Sequence, residues 1–391
     1  MHMRKATSAL VGLLLAGVAA TPAHAETIRS QQWHLDTMKA DDLWKTSTGK
    51  GVTVAVIDSG VEVLPELEGQ LVPGKDLAPD DLAGDERTDY DGHGTEMAAV
   101  IAGTGKHPTG DGAYGLAPGA KILPIRVPHE MNEATPSWAA AIRYAADSDA
   151  KIINMSLGLP TKPEDDRGRA EAVKYALSKG KLIFAAVGNS GEGRLNPVAY
   201  PAATPGVVGV AAVDAKGEPT KESSHGPHVD MAAPGIDIVT ACKGKTGLCT
   251  SHGTSDASAL ASASAALLWS AHPDWTNNQV LRVLLNTAGK PTDGAQRNDY
   301  IGYGIVRPRI AVPTPGDPGP ADVYPLPDLA AADGKNSPAP SADGKKPESA
   351  APQAEAEKDG GSSLPWIGLG LGACVLIGGA VTAVVVRRRN A

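Results

Sequence analysis

With 391 residues, the chain is too long for one ordinary core and long enough for a large domain with appendages. Its 36 basic and 44 acidic side chains give a formal net charge of -8, which argues against nucleic acid as the main partner. The cysteines, Cys242, Cys249 and Cys374, lack the spacing of a zinc site, so no metal site and no cofactor is expected.

Residues 1–25 have a basic start, an apolar middle and Ala23-His24-Ala25 before Glu26. This pattern predicts a secretory signal peptide cleaved after Ala25. Residues 26–50 form a polar extension with Trp33, Leu35, Met38, Leu43 and Trp44 as apolar anchors. A domain is expected over residues 51–312. Its first strand is VTVAVID, Val52 to Asp58, an apolar Val-rich run of the kind found in buried parallel sheets. Lys121 to Val127, Lys151 to Gly158, Lys181 to Asn189 and Val207 to Asp214 share that character. Ser137 to Asp147 and Ala170 to Gly180 lie between them with helical patterns, the second ending in Lys179-Gly180, a helix stop. Alternating strands and helices predict an α/β fold, a doubly wound parallel sheet covered on both faces. Chemistry in such sheets gathers beyond the carboxyl ends of the strands, where Asp58 and Asn189 fall.

The segment from Cys249 to Pro273 joins a Gly-Thr-Ser turn to an Ala- and Ser-rich run, read as a helix with Ser255 in its first turn. Asn277 to Gly289 predicts another amphipathic helix, and Tyr303 to Val312 closes the domain. Residues 313–363 are dense in Pro, Ala, Ser, Gly, Asp and Lys, and read as a disordered tether of roughly 40 Å. Leu364 to Val386 is uncharged and long enough to span a bilayer. Arg387, Arg388 and Arg389 follow, so residues 387–391 read as a cytoplasmic tail. The expected location is the cell membrane, single-pass, with the domain outside the cytoplasm.

Three blocks carry the chemistry. VAVIDSG places Asp58 at a strand end, DGHGTEMAAVIAG places His93 among glycines before a helical run, and SHGTSDAS places Ser255 at a helix start. Aspartate, histidine and serine are what a hydroxyl nucleophile needs: a base for its proton, and a carboxylate to orient and stabilise that base. On its own, a Gly-Thr-Ser before a helix reads first as a helix cap.

The chain resembles the subtilisin-like (S8) serine peptidases from about Val52 to Val312, and the order Asp, His, Ser is that family's. VGNSG puts Asn189 where the family keeps the side-chain donor of its oxyanion hole, beside the Ser255 N–H. NMSLG and AAVGN match the strands flanking the substrate's P1 side chain, which implies Ser156, Leu157, Gly158, Ala186 and Gly188 in substrate binding. VAYPAATPGVVGVAAVD implies Ala199 at the pocket floor and a cis bond at Tyr200-Pro201, and SSHGPHVDMAAPG matches a further family segment. With no charge in these walls, uncharged P1 side chains of small to medium size are expected. The signal peptide, QQWHLDTMKADDLW, the tether and the span further resemble the mycosins, membrane-anchored proteases associated with type VII secretion. Residues 26–57 are too short for an independently folding inhibitory prodomain as well as the domain's own arm. The resemblance thus implies a membrane-tethered serine endopeptidase acting on protein or peptide substrates. It suggests, as the runner-up, a structural subunit of a secretion complex in which catalysis is secondary.

Departures from the family stand at Asp256, where Met or Phe is usual, and at Ala259, where Pro is usual. Asp256 reads either as a carboxylate favoured by a helix N-terminus or as a negative charge near His93 that raises its pKa. His225 and His228 read as loop histidines or a metal pair. The acidic run Asp76 to Asp91 could supply oxygen ligands to a structural calcium. It lacks the alternating pattern of a dedicated site and also reads as a solvated loop. Cys242 and Cys249 are positioned to form a disulfide outside the cytoplasm.

Overall fold

The computed structural model describes residues 26–128, 134–162, 166–244 and 246–332. The predicted signal peptide, the distal tether, the span and the tail lie outside them. Among the described residues no helix is long and apolar enough to cross a membrane.

The strands are β1 (Thr53–Asp58), β2 (Lys75–Asp76), β3 (Lys121–Arg126), β4 (Ile152–Met155), β5 (Leu159–Pro160), β6 (Leu182–Ala186), β7 (Ala199–Tyr200), β8 (Val208–Val213), β9 (Met231–Pro234), β10 (Ile238–Ala241) and β11 (Leu248–Ser251). Seven form one parallel sheet in the order β2-β3-β1-β4-β6-β8-β9. The five predicted strands supply its centre. The short edge strands β2 and β9 had no apolar run of their own to announce them. β10 and β11 make an antiparallel hairpin, and β5 and β7 a second antiparallel pair.

The helices are α1 (Ile28–Gln31), α2 (Trp33–Met38), α3 (Ala40–Leu43), α4 (His93–Ala102), α5 (Ala134–Asp147), α6 (Arg167–Ser178), α7 (Thr254–Ala271), α8 (Asn277–Thr287), α9 (Pro308–Ala311) and α10 (Asp328–Ala332). β1 shows how both faces of the sheet are used. Val54 and Val56 pack into the layer of α4, α7 and α8, while Ala55 and Ile57 pack into the layer of α5 and α6. That two-sided burial is why the strands read as unbroken apolar runs. α7 is buried along nearly its whole length, and its alanines and serines are small enough to let it lie close on the sheet.

Two segments outside the expected 51–312 domain pack onto it. The polar extension 26–50 belongs to the core: Leu35, Met38, Ala40 and Leu43 are buried with α7. Its polar side chains satisfy the body's backbone. Gln32 Nε2 donates to the Tyr114 and Val239 carbonyls at 2.7 and 3.0 Å, and Trp44 Nε1 donates to the Leu116 carbonyl at 2.9 Å. The first part of the predicted tether, residues 313–332, is also docked. Arg282 donates to the carbonyls of Pro318 (2.8 Å), Pro320 (2.9 Å) and Val323. Leu326 is 3 % exposed. A proline-rich stretch has few N–H groups to satisfy, so its carbonyls are available to one guanidinium, and composition alone did not reveal this.

Candidate active site

Asp58 ends β1 at the carboxyl edge of the sheet, and His93 opens α4. The His93 Nδ1 and Asp58 Oδ1 lie 2.8 Å apart, with the imidazole donating, and the Ser59 N–H donates to the same oxygen at 2.8 Å. The carboxylate is 0 % exposed and the imidazole 26 % exposed, so one is sealed while the other faces outward. Close approach here needs Gly94: a Cβ at that position would sit 2.1 Å from the Gly60 carbonyl oxygen. Burial pulls the His93 pKa down, but the charge and hydrogen bond of Asp58, with Asp91 and Asp256 behind them, lift it to about 9.

Sequence reasoning missed Asp89, which it placed in a solvated acidic loop. This carboxylate is 1 % exposed. Its Oδ1 accepts from Ser59 Oγ and the Gly92 N–H, both at 2.8 Å. Its Oδ2 accepts from the Thr95 N–H at 2.8 Å and Thr95 Oγ1 at 2.6 Å. Asp89 therefore satisfies free N–H groups at the start of α4, which a glycine N-cap cannot do, and so fixes the helix that presents His93. Elsewhere in the run, Asp76 pairs with Arg126 at 3.0 Å, and Asp85 closes a turn on Thr88.

Ser255 lies in the first turn of α7, partly exposed. Gly253 precedes it at φ +124°, where a Cβ would come within 2.6 Å of Asn189 Nδ2. This glycine lets the Asn189 side chain approach the start of the helix. Asn189 Oδ1 accepts from the Thr254 N–H and Thr254 Oγ1, each at 2.9 Å. The carboxamide is thereby oriented with its oxygen bound and its N–H₂ on the other side.

Beneath Ser255 runs a buried polar network. Asn154 Oδ1 accepts from Ser258 Oγ and Ser262 Oγ, each at 3.0 Å. Asn154 Nδ2 donates to Ser156 Oγ at 3.0 Å, and Ser156 Oγ donates to the Ser255 carbonyl at 2.8 Å. In return Ser255 Oγ donates to the Ser156 carbonyl at 3.0 Å. The helix is thus pinned to the segment after β4. The i, i+4 pair Ser258 and Ser262 was the available sequence signal for a polar stripe facing a partner.

The predicted pocket residues converge in part. A Cβ on Gly158 would be 3.1 Å from the Ala199 Cβ, and one on Gly188 would be 3.6 Å from it. The β5–β7 pair brings them together, and Tyr200-Pro201 is cis, as expected. Leu157 differs: its side chain is 1 % exposed and joins the core under the sheet, which leaves only its backbone for a ligand.

Cys242 and Cys249 are disulfide-bonded across the β10–β11 hairpin, with Cα atoms 6.0 Å apart. His225 stacks on Tyr300 at 4.9 Å. Among the described residues, only Glu96, Cys242 and Cys249 bring three ligand-type side chains within 4.8 Å. Asp256, far from being a solvated helix-end carboxylate, is 0 % exposed.

The profile of the subtilase family matches residues 49–304. Mycosin-1 of Mycobacterium tuberculosis is 33% identical over 340 residues, covering 74% of this chain and 74% of that protein. Subtilisin E of Bacillus subtilis is 34% identical over 267 residues, covering 68% of this chain and 66% of its own length. The crystal structure of MycP1 from the ESX-1 type VII secretion system superposes with a TM-score of 0.65 at 29% identity, over 78% of this chain and 91% of that one. A chain of the periplasmic assembly from the ESX-5 inner membrane complex gives 0.66 at 26% identity, over 86% and 92%. With the profile spanning the whole sheet and all three chemical blocks, the chain belongs to the subtilase family of serine endopeptidases and is related to the mycosins of type VII secretion.

Proposed function

We propose that Ser255 attacks the scissile carbonyl, His93 takes its proton and Asp58 holds the imidazole. The observation that carries this reading is the 2.8 Å contact between His93 Nδ1 and a fully buried Asp58. It fixes the tautomer so that Nε2 is the basic nitrogen. α4 packs against α7, so the base and the nucleophile stand on adjoining helices. A χ1 rotation of Ser255 frees its proton from the Ser156 carbonyl. The tetrahedral oxyanion would be met by the Ser255 N–H and Asn189 Nδ2, in the field of the α7 N-terminus. Gly158, Gly188 and Ala199 suit an uncharged P1 side chain of small to medium size.

The reading continues to a protease linked to type VII secretion, exported by the signal peptide and tethered outside the cytoplasm by Leu364 to Val386. A second reading, that it is chiefly a structural subunit of a membrane secretion complex, is favoured by the likeness to the ESX-5 periplasmic assembly. Ser255→Ala separates the two. It should abolish labelling by fluorophosphonates and lower kcat by several orders of magnitude, on the order of 10⁶ as for the comparable subtilisin change. An enzyme's loss makes this strain resemble a deletion; a structural subunit's strain still secretes. Wild-type protein that never labels would sink the catalytic reading, and a peptide-library profile dominated by Arg or Lys would sink the pocket assignment.

A further inference from the structure

The residue after the proposed nucleophile is a carboxylate that the fold seals from water. Asp256 Oδ2 accepts from Ser251 Oγ at 2.9 Å, and its Oδ1 is buried with no hydrogen-bond partner. A carboxylate serving only the helix dipole does so from the solvated rim of the first turn, without a desolvation penalty. Asp256 instead lies on the helix that packs against α4, within electrostatic reach of His93 and Glu96 on α4 and of His252 after β11.

The surrounding charges define what it does there. Asp58 from β1 and Asp91 from the loop before α4 act on the same imidazole. Asp89, Asp91 and Asp58 also act on Glu96. His252 is 67 % exposed and pairs with Glu222 at 3.0 Å. Lys243, at the hairpin tip, is held by Glu62 at 3.3 Å and by the Asp89 carbonyl. The less exposed cation that acts on Asp256 is therefore the His93 imidazolium, since His252 is largely solvated. Burial pushes Asp256 up to about 7, against the opposing pull of Ser251 and His93.

We propose that Asp256 is a positioning residue for the His93 proton: once ionised, its buried carboxylate holds the imidazole in the charged form and moves the peptidase's working range to alkaline pH. This rests on the triad reading, in which only neutral His93 can accept the Ser255 proton. A negative charge nearby favours the imidazolium, so at neutral pH most molecules wait with His93 already protonated. The same charge stabilises the imidazolium formed as Ser255 attacks, so full-length enzyme is strongest once the resting histidine has lost its proton.

The test compares kcat/KM from pH 6 to 10 for the wild type and Asp256→Asn, which keeps the side chain's shape and removes its charge. The acid limb should move down by about 0.5 to 1 pH unit, so the ratio of activity at pH 7 to that at pH 10 should rise about three- to tenfold. An unmoved limb in a variant that still labels at Ser255 overturns the proposal. Should the variant not fold, the wild type decides alone by an imidazole ¹⁵N titration of His93. Two steps are expected, because His93 and Asp256 interact; a single step overturns the proposal. A wild type that neither labels nor hydrolyses peptide refutes the triad instead, and the His93 titration still decides the coupling.

Discussion

Asn154→Ala tests whether the network under Ser255 holds the site together. The substitution removes one acceptor and one donor from a place where Asn154, Ser258 and Ser262 are 0 % exposed and Ser156 is 3 % exposed. Three hydrogen bonds of 3.0 Å disappear. Each buried group left unsatisfied costs about 1 to 3 kcal/mol. Part is recovered, because a helical serine can turn onto the preceding turn's carbonyl, as Ser264 does to Leu260 at 2.7 Å. The expected net loss is about 2 to 4 kcal/mol, a fall in Tm of roughly 3 to 7 °C for a domain of this size. It should be measured by thermal unfolding on the Ser255→Ala background, where self-digestion cannot interfere. The same substitution made with Ser258→Ala and Ser262→Ala in place should cost clearly less, since two orphaned hydroxyls are gone. An equal cost in both backgrounds, or a loss below about 0.5 kcal/mol, refutes the network argument.

Two further outcomes follow from the docked segment and from a second carboxyl. A fragment ending at Val312 leaves Arg282 without its three carbonyl acceptors and uncovers the site of Leu326. It should therefore melt below a fragment ending at Ala332, and equal melting temperatures would show that the segment does not stabilise the domain. Burial, reinforced by the charge of Asp328 and opposed by the Gly209 N–H and Arg297, raises Asp230 to about 8. The folded protein thus keeps a proton that the unfolded chain releases near pH 4. The stability this group contributes is complete below about pH 4 and is lost as pH rises to about 8. Asp230→Asn should flatten the fall in Tm between pH 5 and 9, whereas parallel curves for the two proteins would contradict the assignment.

How far the sequence disclosed the molecule depends on how local the signal was. β1 was legible because both of its faces are buried, so no polar residue interrupts the run from Val54 to Ile57 before Asp58. The His93 and Ser255 blocks were legible because their glycines are demanded by close contacts: Gly94 by the Gly60 carbonyl, and Gly253 by the Asn189 side chain. Asp89 was not. In sequence it is one acid among many. Its burial depends on Ser59, thirty residues earlier, as well as on Thr95. The extension 26–50 was legible as an arm through its apolar anchors, but its polar contacts were hidden for a related reason. Gln32 looks solvated, yet its amide takes the place of a backbone neighbour at Tyr114, 82 residues away.

Asp256 shows where pattern reading stops and packing begins. A carboxylate one position after a helix-start serine is locally unremarkable, and the dipole favours it. Nothing within the turn says whether water reaches it. That is decided by the tertiary covering that leaves it 0 % exposed, and by Ser251, which occupies one oxygen and leaves the other bare. The same covering brings His93 and Glu96 within electrostatic reach. On the proposed triad, a helix-end carboxylate thereby becomes a charge coupled to the His93 imidazole. Sequence spacing places the three reacting groups in order along the chain. On that triad, the long-range packing of α4 on α7 would set the pH at which His93 can take the Ser255 proton.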